Sequence, residues 1–131
     1  MKSGLWVALV LILVSVIAAG GVVACAHESK SITVDLSYSG KRVELSLGDS
    51  LIVTLPSDAG TGLSWSPWVS DESILKQSDY KYIGQVGAGG NETWTFKALT
   101  QGQCTIFMEY RPPQEEEATP DQTFDLSVVI E

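Results

Sequence analysis

Residues 43–55 read Val-Glu-Leu-Ser-Leu-Gly-Asp-Ser-Leu-Ile-Val-Thr-Leu, and their pattern indicates the fold class of the chain. Apolar and polar side chains alternate over residues 43–47, which is the period of a half-buried β-strand and differs from the 3.6-residue period of a helix. Gly48 and Asp49 break this run, and residues 51–55 form a compact branched apolar segment that also predicts a strand. The stretch therefore predicts two β-strands separated by a turn.

Similar segments recur along the chain. Strand-like runs lie at Ile32–Tyr38, Trp94–Ala98, Cys104–Tyr110 and Phe124–Ile130, with turn residues between them, whereas Glu72–Gln77 is the one segment that suggests a helical turn. Several short strands separated by turn signals are typical of an all-β sandwich or barrel. The loops of such a sandwich cluster at its two ends, and loops commonly carry function.

The N-terminal residues differ in composition from the rest. The chain has 131 residues, of which 44% are hydrophobic, and a formal net charge of −8. Lys2 precedes the apolar stretch Leu5–Ala24, which is interrupted by Ser15, Gly20 and Gly21. A basic residue, an apolar region and a small residue before a cleavage point describe a secretory signal. At about 1.5 Å per helical residue, the same stretch is also long enough to span a bilayer.

Val22-Val23-Ala24-Cys25 resembles the bacterial lipobox. The resemblance implies cleavage after Ala24 and diacylation of Cys25, and two acyl chains give stable membrane attachment. An uncleaved signal anchor and ordinary secretion remain alternatives, and all three place Ala26 onward outside the cytoplasm. We therefore expect a signal peptide over residues 1–24, a tether over 25–31 and one domain over 32–131, in an exported protein anchored to the membrane of the cell envelope.

The length and the net charge of residues 25–131 exclude several classes of function for this part of the chain. Without residues 1–24 it has 107 residues, a length that suits a single domain. Its net charge is −9, because Lys2 is the one charged residue removed. The basic residues are scattered, which argues against binding to nucleic acid or to an anionic membrane surface, since both require clustered Lys and Arg.

Catalytic and metal-binding chemistry has few candidate residues. His27 is the single histidine and lies in the tether, where it is a poor member of a Ser-His-Asp or Cys-His arrangement. Cys104 lies in a strand-like run, where a small buried apolar role is expected. Glu115–Glu117 with Asp121 could bind calcium through oxygen ligands, although a solvated acidic loop is the favoured interpretation. We expect no enzyme activity, no metal and no cofactor.

Three loops between the predicted strands have unusual composition. The first contains Asp58-Ala59-Gly60-Thr61-Gly62, the second contains Gly87-Ala88-Gly89-Gly90, and the third opens with Arg111-Pro112-Pro113. Together, and in this order, they resemble the chagasin-like inhibitors of papain-like cysteine peptidases, whose loops carry NPTTG, GxGG and RPW motifs. The resemblance covers about residues 32–131.

The three loops match the three family motifs to different degrees. Residues 87–90 fit GxGG completely, but the first loop keeps only Thr61-Gly62, and Pro113 stands where the third motif has Trp. Asp58, Ala59 and Gly60 replace Asn, Pro and Thr. Without Pro and Thr the first loop has more accessible conformations, so it loses more conformational entropy on binding. Without Trp the third loop lacks a residue type that often contributes strongly to binding.

The resemblance implies an immunoglobulin-like β-sandwich that inhibits a papain-like cysteine peptidase reversibly. Residues 58–62 would lie over the catalytic Cys and His of the peptidase, and the other two loops would brace either side. The expected partner is the peptidase, and we expect a monomer that does not bind nucleic acid. The implied contact residues are Asp58, Ala59, Gly60, Thr61, Gly62, Gly87, Ala88, Gly89, Gly90, Arg111, Pro112 and Pro113.

Two alternatives remain open at this point. The departures in the first and third loops favour a cell-envelope interaction module of immunoglobulin-like type without a peptidase partner. A calcium-dependent adhesin is a more distant alternative. In each case we expect Trp65, Trp68 and Trp94 to pack in the core or at its rim.

Overall fold

The computed structural model describes residues 28–85 and 88–131. Over these residues the chain forms eight strands and two single-turn 3-10 helices. The strands are β1 (Ser31–Val34), β2 (Lys41–Leu45), β3 (Ser50–Ser57), β4 (Ser64–Val69), β5 (Leu75–Gln85), β6 (Gly89–Ala98), β7 (Gly102–Arg111) and β8 (Gln122–Ile130), and the 3-10 turns are Leu36–Tyr38 and Ala59–Thr61. The predicted signal peptide, Cys25 and His27 lie outside the described residues.

The strands form two four-stranded sheets packed face to face. One sheet has the order β1-β3-β6-β5 and the other β2-β8-β7-β4. Pairing is antiparallel except for β1 with β3 and β2 with β8, which are parallel. This arrangement confirms the predicted all-β sandwich of immunoglobulin-like type.

Alternation along the strands builds the core. In β7 every second residue from Cys104 to Tyr110 is buried, and β8 shows the same pattern from Phe124 to Ile130. Trp65 and Trp94 are buried as predicted, whereas Trp68 is 59% exposed. Cys104 is buried, as expected, and forms no disulfide within the described part of the chain; desolvation raises the pKa of its thiol. Its side chain therefore acts as a small apolar group in the core.

Two local predictions were wrong. Ile32–Tyr38 is not one strand: β1 ends at Val34, because the Asp35 carboxylate accepts a 2.9 Å bond from the Ser37 amide and starts a 3-10 turn. Such local side-chain bonds compete with strand pairing. Glu72–Gln77 is also not helical, since the turn that follows Asp71 ends at Ile74 and β5 begins at Leu75.

The strand ends define two poles of the sandwich. The loop pole carries the β3–β4, β5–β6 and β7–β8 connections. The tether pole carries the turn Ser46–Asp49, the β4–β5 connection (residues 70–74), the turn Leu99–Gln101 and the end of β8. The start of β1 lies there as well, because β1 runs parallel to β3. Among residues 28–85 and 88–131, no helix has the length and apolarity needed to cross a membrane.

Candidate functional site

The strand register brings the three sequence-predicted loops to the same pole. Ser57 at the end of β3 pairs with Gly90 near the start of β6, so the first and second loops are neighbours. Ser64 at the start of β4 pairs with Arg111 at the end of β7, which places the first loop beside the third. Of the twelve predicted contact residues, Gly87 lies outside the described part of the chain, and the others all lie at or beside this pole.

The first loop is closed by its own hydrogen bonds. The Asp58 carboxylate accepts a 2.9 Å bond from the Gly60 amide, and the Thr61 hydroxyl donates a 2.7 Å bond to the Asp58 carbonyl. The same hydroxyl accepts from the Leu63 amide at 3.2 Å, and Gly62 ends the turn in the left-handed conformation at φ 75°. Asp58 therefore caps the 3-10 turn, as an Asn at this position could also do. Residues 59–62 are exposed at its tip.

The second loop connects two strands that approach unusually closely. A Cβ atom added to Gly90 would lie 2.8 Å from the Gly84 Cα and would also meet the Ile83 carbonyl oxygen. Gly89 has φ 75° and open space around its missing Cβ. Gly90 is thus required for strand packing and Gly89 for backbone conformation, and Ala88 is exposed beyond them.

The third loop is organised around Arg111. Its guanidinium donates a 3.0 Å bond from Nη1 to the Glu115 carbonyl, and its Nε lies 3.3 Å from the Glu109 carboxylate. The Arg111 side chain is only 14% exposed. The Asp121 amide donates to the Tyr110 carbonyl at 2.8 Å, which closes the loop at its base. Arg111 therefore supports the loop from within, while Pro113 is exposed near its tip.

A buried polar network lies beneath the loops. Glu92 of β6 is 2% exposed, and its carboxylate accepts a 3.0 Å bond from the Trp65 amide and a 2.6 Å bond from the Tyr80 hydroxyl. Glu92 and Trp65 belong to different sheets, so this carboxylate joins the two sheets directly below the first loop. Buried carboxylates are costly unless they are hydrogen-bonded, and both of its oxygens have a donor.

The network continues from Trp65 to the first loop. The Trp65 indole nitrogen donates to the Pro56 carbonyl at 2.9 Å, and its ring stacks on Tyr110 at 5.0 Å between centroids. The Tyr110 hydroxyl in turn accepts a 3.0 Å bond from the Asp58 amide. A chain of contacts therefore connects the buried carboxylate to the residue that caps the first loop.

The sequence interpretation missed Glu92, Tyr80 and Tyr110 as supporting residues. A signal for Glu92 was present, because it shares the inward period of Trp94 and Phe96 in β6. A carboxylate at an inward position requires donors, and that requirement points to a buried network. Its donors could not be read from the sequence, since Trp65 lies 27 residues away on the other sheet.

The pKa of Tyr80 is raised to about 12 because burial disfavours the phenolate and because the hydroxyl donates to the Glu92 carboxylate. Tyr80 therefore stays protonated, and keeps its hydrogen-bond donor, throughout the ordinary pH range.

The described residues contain no group of three or more His, Cys, Asp and Glu side chains that could hold a metal ion. A shallow groove of about 430 Å³ lies on the outer face of β4 and β7, where it adjoins Arg111 and Glu109 and is partly lined by Trp68 and Phe107. The three loops thus lie side by side at one pole, with the tip of the first loop, Ala88 and Pro113 exposed to solvent.

Comparison with known proteins gives a match to one family model. The model of the family described as Chagasin family peptidase inhibitor I42 matches residues 44–128. A search of curated protein sequences found no match.

Solved structures share the fold at low identity. The cysteine protease inhibitor EhICP2 from Entamoeba histolytica has a TM-score of 0.72 and 19% identity, over 81% of this chain and 100% of its own. Amebosin has a TM-score of 0.59 and 21% identity, over 80% and 100%. PbICP-C, in a complex with falcipain-2, has a TM-score of 0.55 and 15% identity, over 83% and 95%.

Proposed function

Because the chain belongs to the chagasin family of peptidase inhibitors, we propose that its loop pole enters and occludes the active-site cleft of a papain-like cysteine peptidase. The chain is an inhibitor and not an enzyme. The structurally similar PbICP-C is in a complex with falcipain-2, which supports a cysteine peptidase as the target.

The observation that carries the proposal is the closed, supported conformation of the first loop. Its tip is exposed, its turn is capped by Asp58, and its base is bonded to Tyr110. A loop that is ordered before binding loses less conformational entropy on association. The local hydrogen bonds therefore offset the replacement of Pro and Thr by Ala59 and Gly60.

The chemistry of the loop tip suits occlusion without cleavage. Ala59, Gly60 and Gly62 have small side chains or none, so the backbone can approach a narrow cleft closely. The bonds around Asp58 and Thr61 hold the backbone in a tight turn instead of the extended form that a substrate strand adopts. Occupation of the cleft by this turn blocks access to the catalytic Cys and His, and no bond forms or breaks.

The proposal is tested by titrating papain with the purified protein. Gly60 has no positive φ, so Gly60→Arg should leave the fold intact while placing a large side chain at the tip. We expect this variant to lose most of its inhibition. Gln101→Arg places the same side chain and the same added charge at an exposed position of the tether pole, so it is the control for arginine itself and should inhibit like the wild type. Absence of inhibition by the wild-type protein at micromolar concentration contradicts the proposed target.

We further propose that the protein is exported and attached to the outer side of a membrane through acylated Cys25, as the lipobox-like residues 22–25 suggest. The domain boundaries follow: a signal over 1–24, a tether over 25–31 and the inhibitor domain over 32–131. Replacement Cys25→Ser should abolish incorporation of labelled fatty acid. Unchanged membrane retention of a full-length, uncleaved Cys25→Ser chain would support the signal anchor instead.

A further inference from the structure

The tether pole carries two exposed leucines at the place where the chain enters the domain. Leu47 is 48% exposed in the β2–β3 turn, and Leu99 is 47% exposed in the β6–β7 turn. The two turns are in contact, because the Gly48 amide donates to the Ala98 carbonyl at 3.0 Å. The leucines therefore belong to one end surface, on the side of the sandwich away from the three loops.

Hydrogen bonds join the end of the tether to the turn that carries Leu47. The Lys30 amide donates to the Asp49 carboxylate at 2.9 Å, and the same carboxylate accepts from the Ser46 amide. The Ser50 amide donates to the Lys30 carbonyl at 2.8 Å. Asp49 is 2% exposed, so this junction is buried and well defined. From Cys25 to Lys30 there are only a few residues, which at about 3.3 Å each cannot extend beyond about 20 Å.

Two lysines flank the same pole on the outer face of the β1-β3-β6-β5 sheet. Lys76 and Lys97 are directly opposite each other on β5 and β6, and both are exposed. Like charges at directly opposed positions are destabilising, and neither lysine forms an ion pair with a described residue. Headgroup phosphates would pair with these lysines, whereas they would repel the exposed acidic side chains of the same pole, Asp71, Glu72 and Glu131.

We propose that the tether pole rests on the lipid surface, with Leu47 and Leu99 at the interface and Lys76 and Lys97 beside headgroup phosphates. This inference rests on the proposed attachment through Cys25. The acyl chains supply the affinity, and a short tether then holds the pole at high effective concentration near the lipid, so weak contacts are sufficient to orient the domain. The acidic net charge opposes contact with an anionic surface. The contact therefore depends on the acyl chains, the short tether and the two leucines, and not on electrostatic attraction.

The orientation has a consequence for the inhibitor. The eight residues of β3 separate the two poles by about 25 Å at about 3.3 Å per residue. With the tether pole on the lipid, the three loops point away from the membrane into the surrounding space. The target is then a peptidase that approaches from solution.

The test uses the full chain, purified from membranes and reconstituted into vesicles of phosphatidylethanolamine and phosphatidylglycerol. Single cysteines replace Leu47 or Leu99 in a Cys104→Ser background and carry an environment-sensitive fluorophore, with mass spectrometry establishing that one label is present. Ile83→Cys is the matched control, because Ile83 is 58% exposed and lies near the loop pole. We expect blue-shifted emission and several-fold stronger quenching by spin-labelled lipid at positions 47 and 99 than at 83.

Three results would overturn the inference. Equal quenching at all three positions in a chain that sediments with the vesicles refutes the orientation and leaves the attachment intact. A chain that does not sediment with vesicles refutes the attachment and the orientation together. The third result is that the protein inhibits papain much more weakly on vesicles than in detergent. This result refutes the outward-facing loops, while the inhibition in detergent still upholds the proposed function.

Discussion

Tyr110 connects the core of the sandwich to the first loop. Its ring stacks on Trp65 and its hydroxyl accepts the Asp58 amide. We expect Tyr110→Phe to lower the unfolding free energy by about 1 kcal/mol, the usual net contribution of one hydrogen bond, and to weaken inhibition several-fold because the loop base is released. Urea denaturation and papain titration measure the two effects.

Tyr82→Phe is the matched control for this prediction. The Tyr82 hydroxyl is buried and has no hydrogen-bond partner among residues 28–85 and 88–131, so its removal should leave both stability and inhibition unchanged or slightly improved. Equal losses of inhibition in the two variants would contradict the role assigned to Tyr110.

Gly60 and Gly62 differ in backbone conformation, and therefore in how well each position tolerates a side chain. Gly62 has φ 75°, whereas Gly60 has no positive φ. Gly60→Ala should therefore raise the unfolding free energy by about 0.4–1 kcal/mol by restricting the unfolded chain. Gly62→Ala should lower it by about 1–2 kcal/mol, because a side chain disfavours the left-handed conformation. Thermal unfolding of both variants measures the difference. A destabilised Gly60→Ala protein would show that Gly60 adopts a backbone conformation in solution that a side chain disfavours.

Tyr80 gives the protein a distinctive response to alkali. Its pKa is raised to about 12 from 10.0, so between these values the unfolded chain loses a proton that the folded chain retains. Stability must then fall as pH rises through this window. The Tyr80 side chain is 46% exposed, and solvent screening limits the loss to no more than about 1 kcal/mol.

The measurement is urea denaturation of the wild type and Tyr80→Phe between pH 9 and about 12, the upper limit set by the raised pKa. The stability of the wild type should decline more steeply than that of the variant. Parallel profiles would mean that the Tyr80–Glu92 hydrogen bond is absent in solution.

At the scale of elements, the β5–β6 hairpin depends on two facing glycines. A Cβ on Gly90 would lie 2.8 Å from the Gly84 Cα, so Gly90→Ala should force the strands apart and lower the unfolding free energy by about 1–3 kcal/mol. The second loop would move with them, and inhibition should weaken.

Gly89→Asn is the control for the hairpin. Gly89 has open space and φ 75°, a conformation that Asn tolerates, so stability should change little. Equilibrium unfolding of both variants checks this prediction, and a Gly90→Ala protein as stable as the wild type would show that the strands do not approach so closely.

Strands that have one face in the core and the other at the surface could be predicted from the sequence. β2, β3, β6, β7 and β8 alternate between core and surface, so their period was visible in the sequence. β5 buries only Leu75 along its length and therefore shows no period. β4 contains Pro67 and the exposed Trp68, which obscure its alternation.

The site was predictable in its loops but not in its supports. The motifs at 58–62, 87–90 and 111–113 identified the loops through a resemblance. The bonds of Glu92 to Trp65 and Tyr80 depend on how the two sheets pack and on strand register, which alternation alone does not determine.

In the whole molecule, the two proposed tasks, attachment and inhibition, belong to opposite poles of the sandwich. The chain enters at Lys30 beside the turns that carry Leu47 and Leu99. The connections predicted to contact a peptidase emerge at the other pole. Substitutions at exposed positions of one pole should therefore leave the function of the other unchanged.

Titration of papain with the wild-type protein, Gly60→Arg and Gln101→Arg tests whether the first loop enters the active-site cleft, once the same unfolding transition has shown that all three are folded. We expect reversible inhibition by the wild type and by Gln101→Arg, and little or none by Gly60→Arg. Equal inhibition by all three proteins would show that the first loop does not enter the active-site cleft.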